Sequence, residues 1–169
     1  MVLDEAGTNV ALEPKYARAP RNERAHDRAP FNKGGNITTL ATLTTAGIAA
    51  AMTVAGAADT LVVEAFVREW VVPHLRAGQI LVLDNVRTHK SDGLRRLVEA
   101  AGCQLRFLPP YSPDLSPIEE AFAKFKALLR RAKARTVAAV VVAIGQALDA
   151  ITPRDARQFF AHCGYGTAK

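Results

Sequence analysis

Residues 80–85 read ILVLDN, four apolar residues followed directly by an acid and an amide. An uninterrupted apolar run of this length is typical of a central strand that is covered on both faces. We therefore predict a buried strand over 80–83 that ends at Asp84. The Asp-Asn pair also favours an ordinary turn, so position alone leaves Asp84 open between a functional role and a turn.

The segments on either side of this strand alternate between strand and helix patterns. Stretches rich in β-branched residues predict further strands over 2–5, 37–45, 48–54 and 104–108. Apolar periodicity and capping residues predict helices over 61–72, 91–100, 117–131, 137–150 and 153–162. This order indicates a mixed α/β fold with a central sheet and a helical C-terminal part. No linker-like stretch divides residues 1–169, so we expect a single domain.

Three acids occupy positions where sheet proteins build sites. Asp4 is expected at the end of the first strand, Asp84 at the end of the central strand, and Glu119 at a helix start. Three carboxylates that converge would repel one another unless a cation lay between them. Oxygen ligands of this kind suit Mg²⁺ or Mn²⁺, and two such ions could serve phosphodiester cleavage.

Glu119 has a second interpretation as a structural cap. The sequence Ser116-Pro117-Ile118-Glu119 has the spacing of a capping box, with Pro117 at the first helical position. In that role the Glu119 carboxylate accepts a hydrogen bond from the Ser116 amide. Spacing alone favours the cap over a metal ligand.

Charge indicates a polyanionic partner. The 22 Lys and Arg residues outnumber the 16 Asp and Glu residues, for a net charge of +6. The polar segment 13–33, expected as an irregular hairpin or loop, supplies candidate phosphate contacts at Lys15, Arg18, Arg21 and Arg24. The segment 121–135 is basic and free of acids, with Lys124, Lys126, Arg130, Arg131, Lys133 and Arg135. A phosphate-binding surface explains this asymmetry better than a solvated helix face.

Several protein classes are disfavoured. Cys103 and Cys163 are too few for a disulfide framework or an all-cysteine zinc site, and we expect buried thiols. The apolar stretch 137–144 is shorter than the roughly 18–20 residues of a membrane span, and the N-terminus lacks a signal-peptide pattern. No glycine-rich phosphate loop follows a strand, which disfavours a doubly wound nucleotide-binding protein. We expect a cytoplasmic protein with no membrane partner.

Two stretches carry a resemblance to a known family. LVLDN at 81–85 with His89 after it, and FLPPYSPDLSPIEEAFAKFK at 107–126, are similar to the catalytic domain of DDE transposases. These are insertion-sequence enzymes related to the mariner superfamily. The 34 residues between Asp84 and Glu119 match the family's spacing of its second and third acids. VLDEAG at 2–7 places the first acid on Asp4, and the likeness covers nearly the whole chain.

The resemblance implies a ribonuclease H-like fold and a metal-dependent DNA transposase. Asp4, Asp84 and Glu119 would hold two Mg²⁺ (or Mn²⁺) ions for cleavage of DNA at element ends and for strand transfer. The family motif favours a ligand role for Glu119 over the cap. The basic residues would contact phosphates of transposon ends and target DNA, and the protein would be nucleoid-associated when bound to DNA.

Residues beside these acids are weaker candidates for the same site. Glu5 and Glu120 are the alternative acids, and His89 is a possible neighbour of the metal site. Tyr111, in the proline-rich loop, either stacks near DNA or packs within the loop. Trp70, in the helix predicted over 61–72, is expected in the core.

The resemblance also bears on partners. Family members usually carry an N-terminal helix-turn-helix region, which we do not expect in this chain. One alternative is therefore a truncated, non-catalytic DNA-binding remnant, or a subunit that needs a helix-turn-helix polypeptide in trans. A homodimer in a synaptic complex is a possible assembly. A nuclease of another class on the same fold is a further alternative, and the loop at 109–117 disfavours it.

Overall fold

The computed structural model describes residues 1–14, 16–28, 30–86 and 90–166. Its strands are β1 (Val2–Thr8), β2 (Ile37–Thr44), β3 (Gly47–Ala55), β4 (Ile80–Leu83) and β5 (Gln104–Phe107). Its α-helices are α1 (Thr60–Phe66), α2 (Asp92–Ala100), α3 (Pro117–Ala132), α4 (Val137–Asp149) and α5 (Pro153–His162). A π-helical turn (Val67–Val71) and a 3-10 turn (Val72–His74) continue α1, and another 3-10 turn (Pro113–Leu115) precedes α3.

The strands form one mixed sheet in the order β3-β2-β1-β4-β5. The β2–β3 hairpin pairs antiparallel with β1, while β4 pairs parallel with β1 and with β5. The strands predicted over 37–45 and 48–54 are present and pair as a hairpin. The strand predicted over 80–83 is present, with Leu81 and Leu83 buried, but Ile80 at its start is exposed. The predicted mixed α/β fold with a central sheet and a helical C-terminal part is confirmed.

The first strand is longer than the sequence predicted. It continues to Thr8 because all seven of its residues pair with β2, from Val2 opposite Leu43 to Thr8 opposite Ile37. The strand signal of residues 6–8 is weak, so the partner strand supplies the hydrogen bonds that keep this part extended. The expectation that Asp4 ends the strand is therefore wrong, because Asp4 lies within it.

Helices cover both faces of the sheet. Alternate residues of a strand point to opposite faces, and β1 accordingly divides its side chains between two apolar clusters. Val2 and Ala6 pack with α3, α4 and α5. Leu3 packs with α1 and α2. The apolar residues of α3 are buried on the first of these faces: Ile118, Phe122, Phe125 and Leu129.

The helix predicted over 61–72 changes its winding before Pro73. It is α-helical only to Phe66 and then widens into the π-helical turn. The wider turn keeps Val67 and Val71 buried and rotates Trp70 away from the core, leaving it 52% exposed. The expectation that Trp70 is a core residue is therefore wrong.

Two further expectations concern cysteines and membranes. Cys103 and Cys163 are buried and free, as predicted. In the ranges that the structure describes, no single helix is long and apolar enough to cross a membrane. Helices α4 and α5 meet the length and composition criteria only as a pair bent by 74°.

Candidate active site

The site starts from the parallel pairing of β1 with β4. Val2 lies opposite Val82, and two residues further along each chain come Asp4 and Asp84. Because side chains alternate along a strand, these two acids share the face of Val2 and Val82. Both valines pack into the cluster that contains α3. Acids 80 positions apart in the sequence thus come to the same side of the sheet, under α3.

Helix α3 adds the third acid. Ile118, fully buried, holds the first turn of the helix against the sheet, and Glu119 follows it. Asp4, Asp84 and Glu119 line one open cleft of about 460 Å³. The competing capping box is not formed, because the Ser116 side chain makes no capping hydrogen bond. The structure thus places the three predicted acids around a single cleft.

The ionised form of Asp4 is disfavoured where this carboxylate lies. Burial raises its pKa to about 7, even though the Glu5 amide donates a hydrogen bond of 2.7 Å to Oδ1 and opposes the shift. The negative charges of Glu119, Asp84 and Glu5 raise the pKa further. A divalent cation in the cleft would offset this repulsion and favour the ionised carboxylate.

Asp84 lies in a turn and also faces the cleft, so the two interpretations offered by its sequence position are compatible. Its Oδ1 accepts a hydrogen bond of 3.3 Å from the Val86 amide, as in a turn, and the same residue lines the cleft. Asn85 lines the cleft beside it, and sequence reasoning assigned it no role. Its position directly after an acid at the end of a buried strand was the available signal.

The donor chemistry of the cleft suits a hydrated hard cation. Three carboxylates supply only oxygen, which Mg²⁺ and Mn²⁺ prefer. In the described ranges, however, no three His, Cys, Asp or Glu side chains lie close enough together to hold an ion. Magnesium commonly keeps several waters and binds through one or two carboxylates. The residues therefore fit a partly hydrated ion better than a closed cage of three acids.

Neither alternative acid is placed with these three. Glu120 Oε1 lies within hydrogen-bond distance of His162 Nδ1 on α5. Glu5 follows Asp4 in β1, so its side chain belongs to the opposite face of the sheet. The described residues that line the cleft include neither of them.

Three of the four phosphate contacts predicted in the 13–33 segment lie in the described part of the chain. Arg18, Arg21 and Arg24 are exposed, in a stretch without helix or strand between β1 and β2. Lys15 lies outside the described residues, as does His89, the possible neighbour of the metal site.

Lys124 has a structural partner on α5. Its ammonium donates to Asp155 Oδ2 at 2.7 Å and to the Ala150 carbonyl at 2.8 Å. These bonds connect α3 to the end of α4 and the start of α5. Sequence reasoning treated Lys124 only as a phosphate contact and missed this role.

The end of α3 anchors the basic segment that follows β1. Lys133 pairs with Asp27, and Arg135 pairs with Glu13. Arg135 also donates to the backbone carbonyl of Val10 at 3.0 Å. Part of the predicted basic surface is therefore used within the protein.

The remaining basic residues of α3 follow Glu119 along the helix. Lys126 and Arg130 lie seven and eleven positions after it, at spacings that keep them on one side of the helix. Both are partly exposed and Arg131 is exposed. Within the described part of the chain, no ion pair engages these three residues. Lys126 and Arg130 form a basic row leading away from the cleft, and Arg131 lies about 100° around the helix from Arg130.

Comparison with known proteins gives a family and a fold. A family model described as DDE superfamily endonuclease matches residues 1–140. A search of the curated proteins finds no match.

Solved structures of Mos1 transposase resemble this chain throughout. A Mos1 paired-end complex with the left transposon end matches with a TM-score of 0.76 at 15% identity, covering 97% of this chain and 52% of that one. A Mos1 strand transfer complex matches with a TM-score of 0.73 at 14% identity and the same coverages. The Mos1 catalytic domain with raltegravir and Mg matches with a TM-score of 0.66 at 15% identity, covering 97% and 78%. The ribonuclease H-like fold is thereby confirmed, and the chain spans about half the length of the first of these relatives.

Proposed function

This chain belongs to the DDE superfamily of endonucleases, and we propose that residues 1–169 form one catalytic domain that cleaves DNA at element ends and transfers strands. The observation that carries the proposal is the convergence of Asp4, Asp84 and Glu119 on one cleft. Three separate elements supply these acids, and a turn or a cap does not require them to converge. The match of residues 1–140 to the endonuclease family supports the same chemistry.

We propose Asp4, Asp84 and Glu119 as the ligands of two Mg²⁺ or Mn²⁺ ions. Bound there, the ions would activate the attacking oxygen and stabilise the leaving oxygen at phosphorus. Mos1 structures that contain Mg or Mn support divalent metal use. The carboxylates must approach one another to share ions, and neutralising their charge favours that approach.

The chain's own residues would hold and orient the DNA. Six exposed or partly exposed cations are suited to phosphates: Arg18, Arg21, Arg24, Lys126, Arg130 and Arg131. Lys124 and Lys133 are left out of this proposal because each pairs with a carboxylate of the protein. Binding through six such contacts would weaken steeply as salt is raised.

A second candidate is a DNA-binding subunit without activity of its own. One observation favours it: in the described ranges, no three His, Cys, Asp or Glu side chains lie close enough together to hold an ion. Sequence-specific recognition would then come from a helix-turn-helix polypeptide in trans. Mos1 has been solved in paired-end complexes with DNA, and we propose a homodimer in such a complex for the active form.

Cleavage of labelled duplex DNA tests the first candidate. Wild-type protein is expected to cut with Mg²⁺ or Mn²⁺ and not with EDTA. Asp84→Asn is expected to lose cutting by more than about a hundredfold while binding DNA as well or more tightly, because a negative charge near phosphate is removed. Asp92→Asn, the same change at an exposed position on α2, is the matched control. Salt-sensitive binding without cutting by wild type would favour the second candidate, and adding a helix-turn-helix polypeptide would test it.

A further inference from the structure

The loop between β5 and α3 presents an aromatic side chain to solvent. Tyr111 is 101% exposed, so its ring packs against nothing in the described chain. Its backbone is left-handed, with φ of 57°. The interpretation that Tyr111 packs within its loop is therefore wrong.

Both properties are unfavourable for the free protein. A non-glycine residue in the left-handed region is strained, and such strain concentrates at binding and catalytic sites. An exposed aromatic ring also forgoes the stabilisation that burial of its apolar surface would give. A residue with both features is best explained by a partner that covers the ring.

The surrounding loop holds this conformation. Of the two residues on each side of Tyr111, three are prolines: Pro109, Pro110 and Pro113. The ring of each proline fixes its φ. The Ser112 hydroxyl donates to the Pro110 carbonyl at 3.4 Å. At the end of the loop, the Tyr165 hydroxyl of the C-terminal segment donates to the Leu115 carbonyl at 2.9 Å. The loop therefore presents Tyr111 from a restrained backbone.

Position then indicates the kind of partner. Tyr111 lines the same cleft as Asp4, Asp84 and Glu119. A neutral ring offers a phosphate no charge, but it offers a nucleobase a face on which to stack. The bases of an intact duplex already stack on their neighbours, so only an unpaired or unstacked base is free to do so.

We propose that Tyr111 is the stacking platform for an unpaired nucleobase next to the phosphate that lies at the carboxylates. The inference rests on the proposed function in that the cleft must receive DNA. Stacking on an aromatic ring tolerates any base, because every base has a π face. Tyr111 would thus hold a frayed strand end or an extruded nucleotide in register with the site, whatever its sequence.

Tryptophan fluorescence tests the contact directly, because Trp70 is the chain's one tryptophan and lies on the α1–α2 side of the sheet. The Trp70→Phe/Tyr111→Trp protein is titrated in Ca²⁺ with a single-stranded thymidine oligonucleotide. Its emission is expected to lose most of its intensity, while the wild type, reporting from Trp70, stays unchanged. An abasic oligonucleotide of the same length carries the phosphates without bases and is expected to leave both proteins unquenched.

Affinity measurements provide the second readout. Tyr111→Ala is expected to weaken binding of the thymidine oligonucleotide by about 5- to 100-fold, and Tyr111→Phe by less than about twofold because the ring is kept. Neither change should affect binding of the abasic oligonucleotide. Anisotropy of the labelled oligonucleotides measures all of these affinities.

Several outcomes would overturn the proposal. One is an unquenched Tyr111→Trp reporter when anisotropy shows that the thymidine oligonucleotide is bound. Another is equal weakening by Tyr111→Ala and Tyr111→Phe, which would assign the effect to the hydroxyl. These measurements need no cleavage. Quenching by the thymidine oligonucleotide, together with a failure of wild-type protein to cut duplex DNA in Mg²⁺ or Mn²⁺, would retain the stacking site and reject the proposed catalysis.

Discussion

Helices α3 and α5 begin with the same local pattern and use it differently. Residues 116–119 read SPIE and residues 152–155 read TPRD, each a hydroxyl residue, a proline, a third residue and an acid. In α5 the capping box is complete, with Thr152 accepting from the Asp155 amide and Asp155 accepting from the Thr152 amide. In α3 the Ser116 side chain makes no capping bond, and Glu119 lines the cleft.

The neighbours of each acid account for the difference. Lys124 lies 2.7 Å from Asp155 and, together with Thr152, holds the pKa of that carboxyl well below its usual range. Glu119 shares its cleft with two further carboxylates. Asp155 is committed to the fold by a cation of the protein, whereas we propose that Glu119 binds a cation from outside. This motif therefore predicts where a helix starts, but it does not predict whether its acid caps the helix or faces a cleft.

Neutralising the two acids should separate these uses most clearly. Glu119→Gln is expected to lower DNA cleavage by more than about a hundredfold and to leave the melting temperature unchanged or raised. Asp155→Asn is expected to lower the melting temperature and keep cleavage per folded molecule near wild type. Cleavage assays and thermal melts of both variants check this, and equal loss of cleavage in both would break the comparison.

Asp4 in the cleft and Asp155 at the start of α5 should change the stability of the protein with pH in opposite directions. Asp4 has a pKa of about 7 in the folded protein against 3.8 for an ordinary aspartate. The folded state thus holds more protons between about pH 4 and pH 7, so stability falls as pH rises across that window. In EDTA, Asp4→Asn should be about 2–3 kcal/mol more stable than wild type at pH 8 and equal to it at pH 4.

Urea unfolding of Asp4→Asn and wild type at the two pH values measures this difference. Mg²⁺ should reduce the difference at pH 8, because an ion that binds the ionised Asp4 stabilises only the wild type. An equal stability gain at pH 4 and pH 8 would assign the effect to something other than the charge of Asp4.

Removing the ammonium of Lys124, which lies beside Asp155, should change stability less than Asp4→Asn does. The pH dependence of the change should be the reverse. The lowered pKa of Asp155 means that its ionised form stabilises the fold above about pH 4 and that this stability is lost as pH falls further. Lys124→Met, which keeps most of the side-chain length, should therefore melt below wild type at pH 7 and approach it at pH 2. Thermal melts across this range check the convergence, and parallel curves for the two proteins would contradict it.

The hydroxyl residues provide the finest test of the comparison. Thr152→Ala removes a formed cap and should cost about 1 kcal/mol, whereas Ser116→Ala removes none and should cost less than about 0.5 kcal/mol. Urea unfolding of the two variants measures the pair. Equal costs would mean that Ser116 caps α3 in solution.

Local sequence predicted most of the fold because the signals agree with the final packing. The strands predicted over 37–45, 48–54 and 80–83 are present. The helices predicted over 91–100, 137–150 and 153–162 are also present, and Ser91, Thr136 and Thr152 cap them. The errors fall where a distant partner decides. The extension of β1 to Thr8 depends on β2, and the rotation of Trp70 depends on how the π-helical turn meets the core.

The site was less accessible from local sequence. Spacing alone favoured a cap at Glu119, because nothing near residue 119 shows that Asp4 and Asp84 lie beneath it. The family motif and the β1–β4 pairing supply that information. The partners of Lys124 and Arg135 were missed for the same reason, since Asp155 and Glu13 are 31 and 122 residues away in the chain.

The parallel pairing of β1 with β4 also has a consequence during synthesis. The segment that carries Asp4 leaves the ribosome long before its partner strand, since Val2 and Val82 are separated by 80 positions. At about 5–20 residues per second, the wait is roughly 4–16 s, and Glu119 follows later still. A nascent chain therefore carries single acids but no shared cleft until the segment through Glu119 has been synthesised.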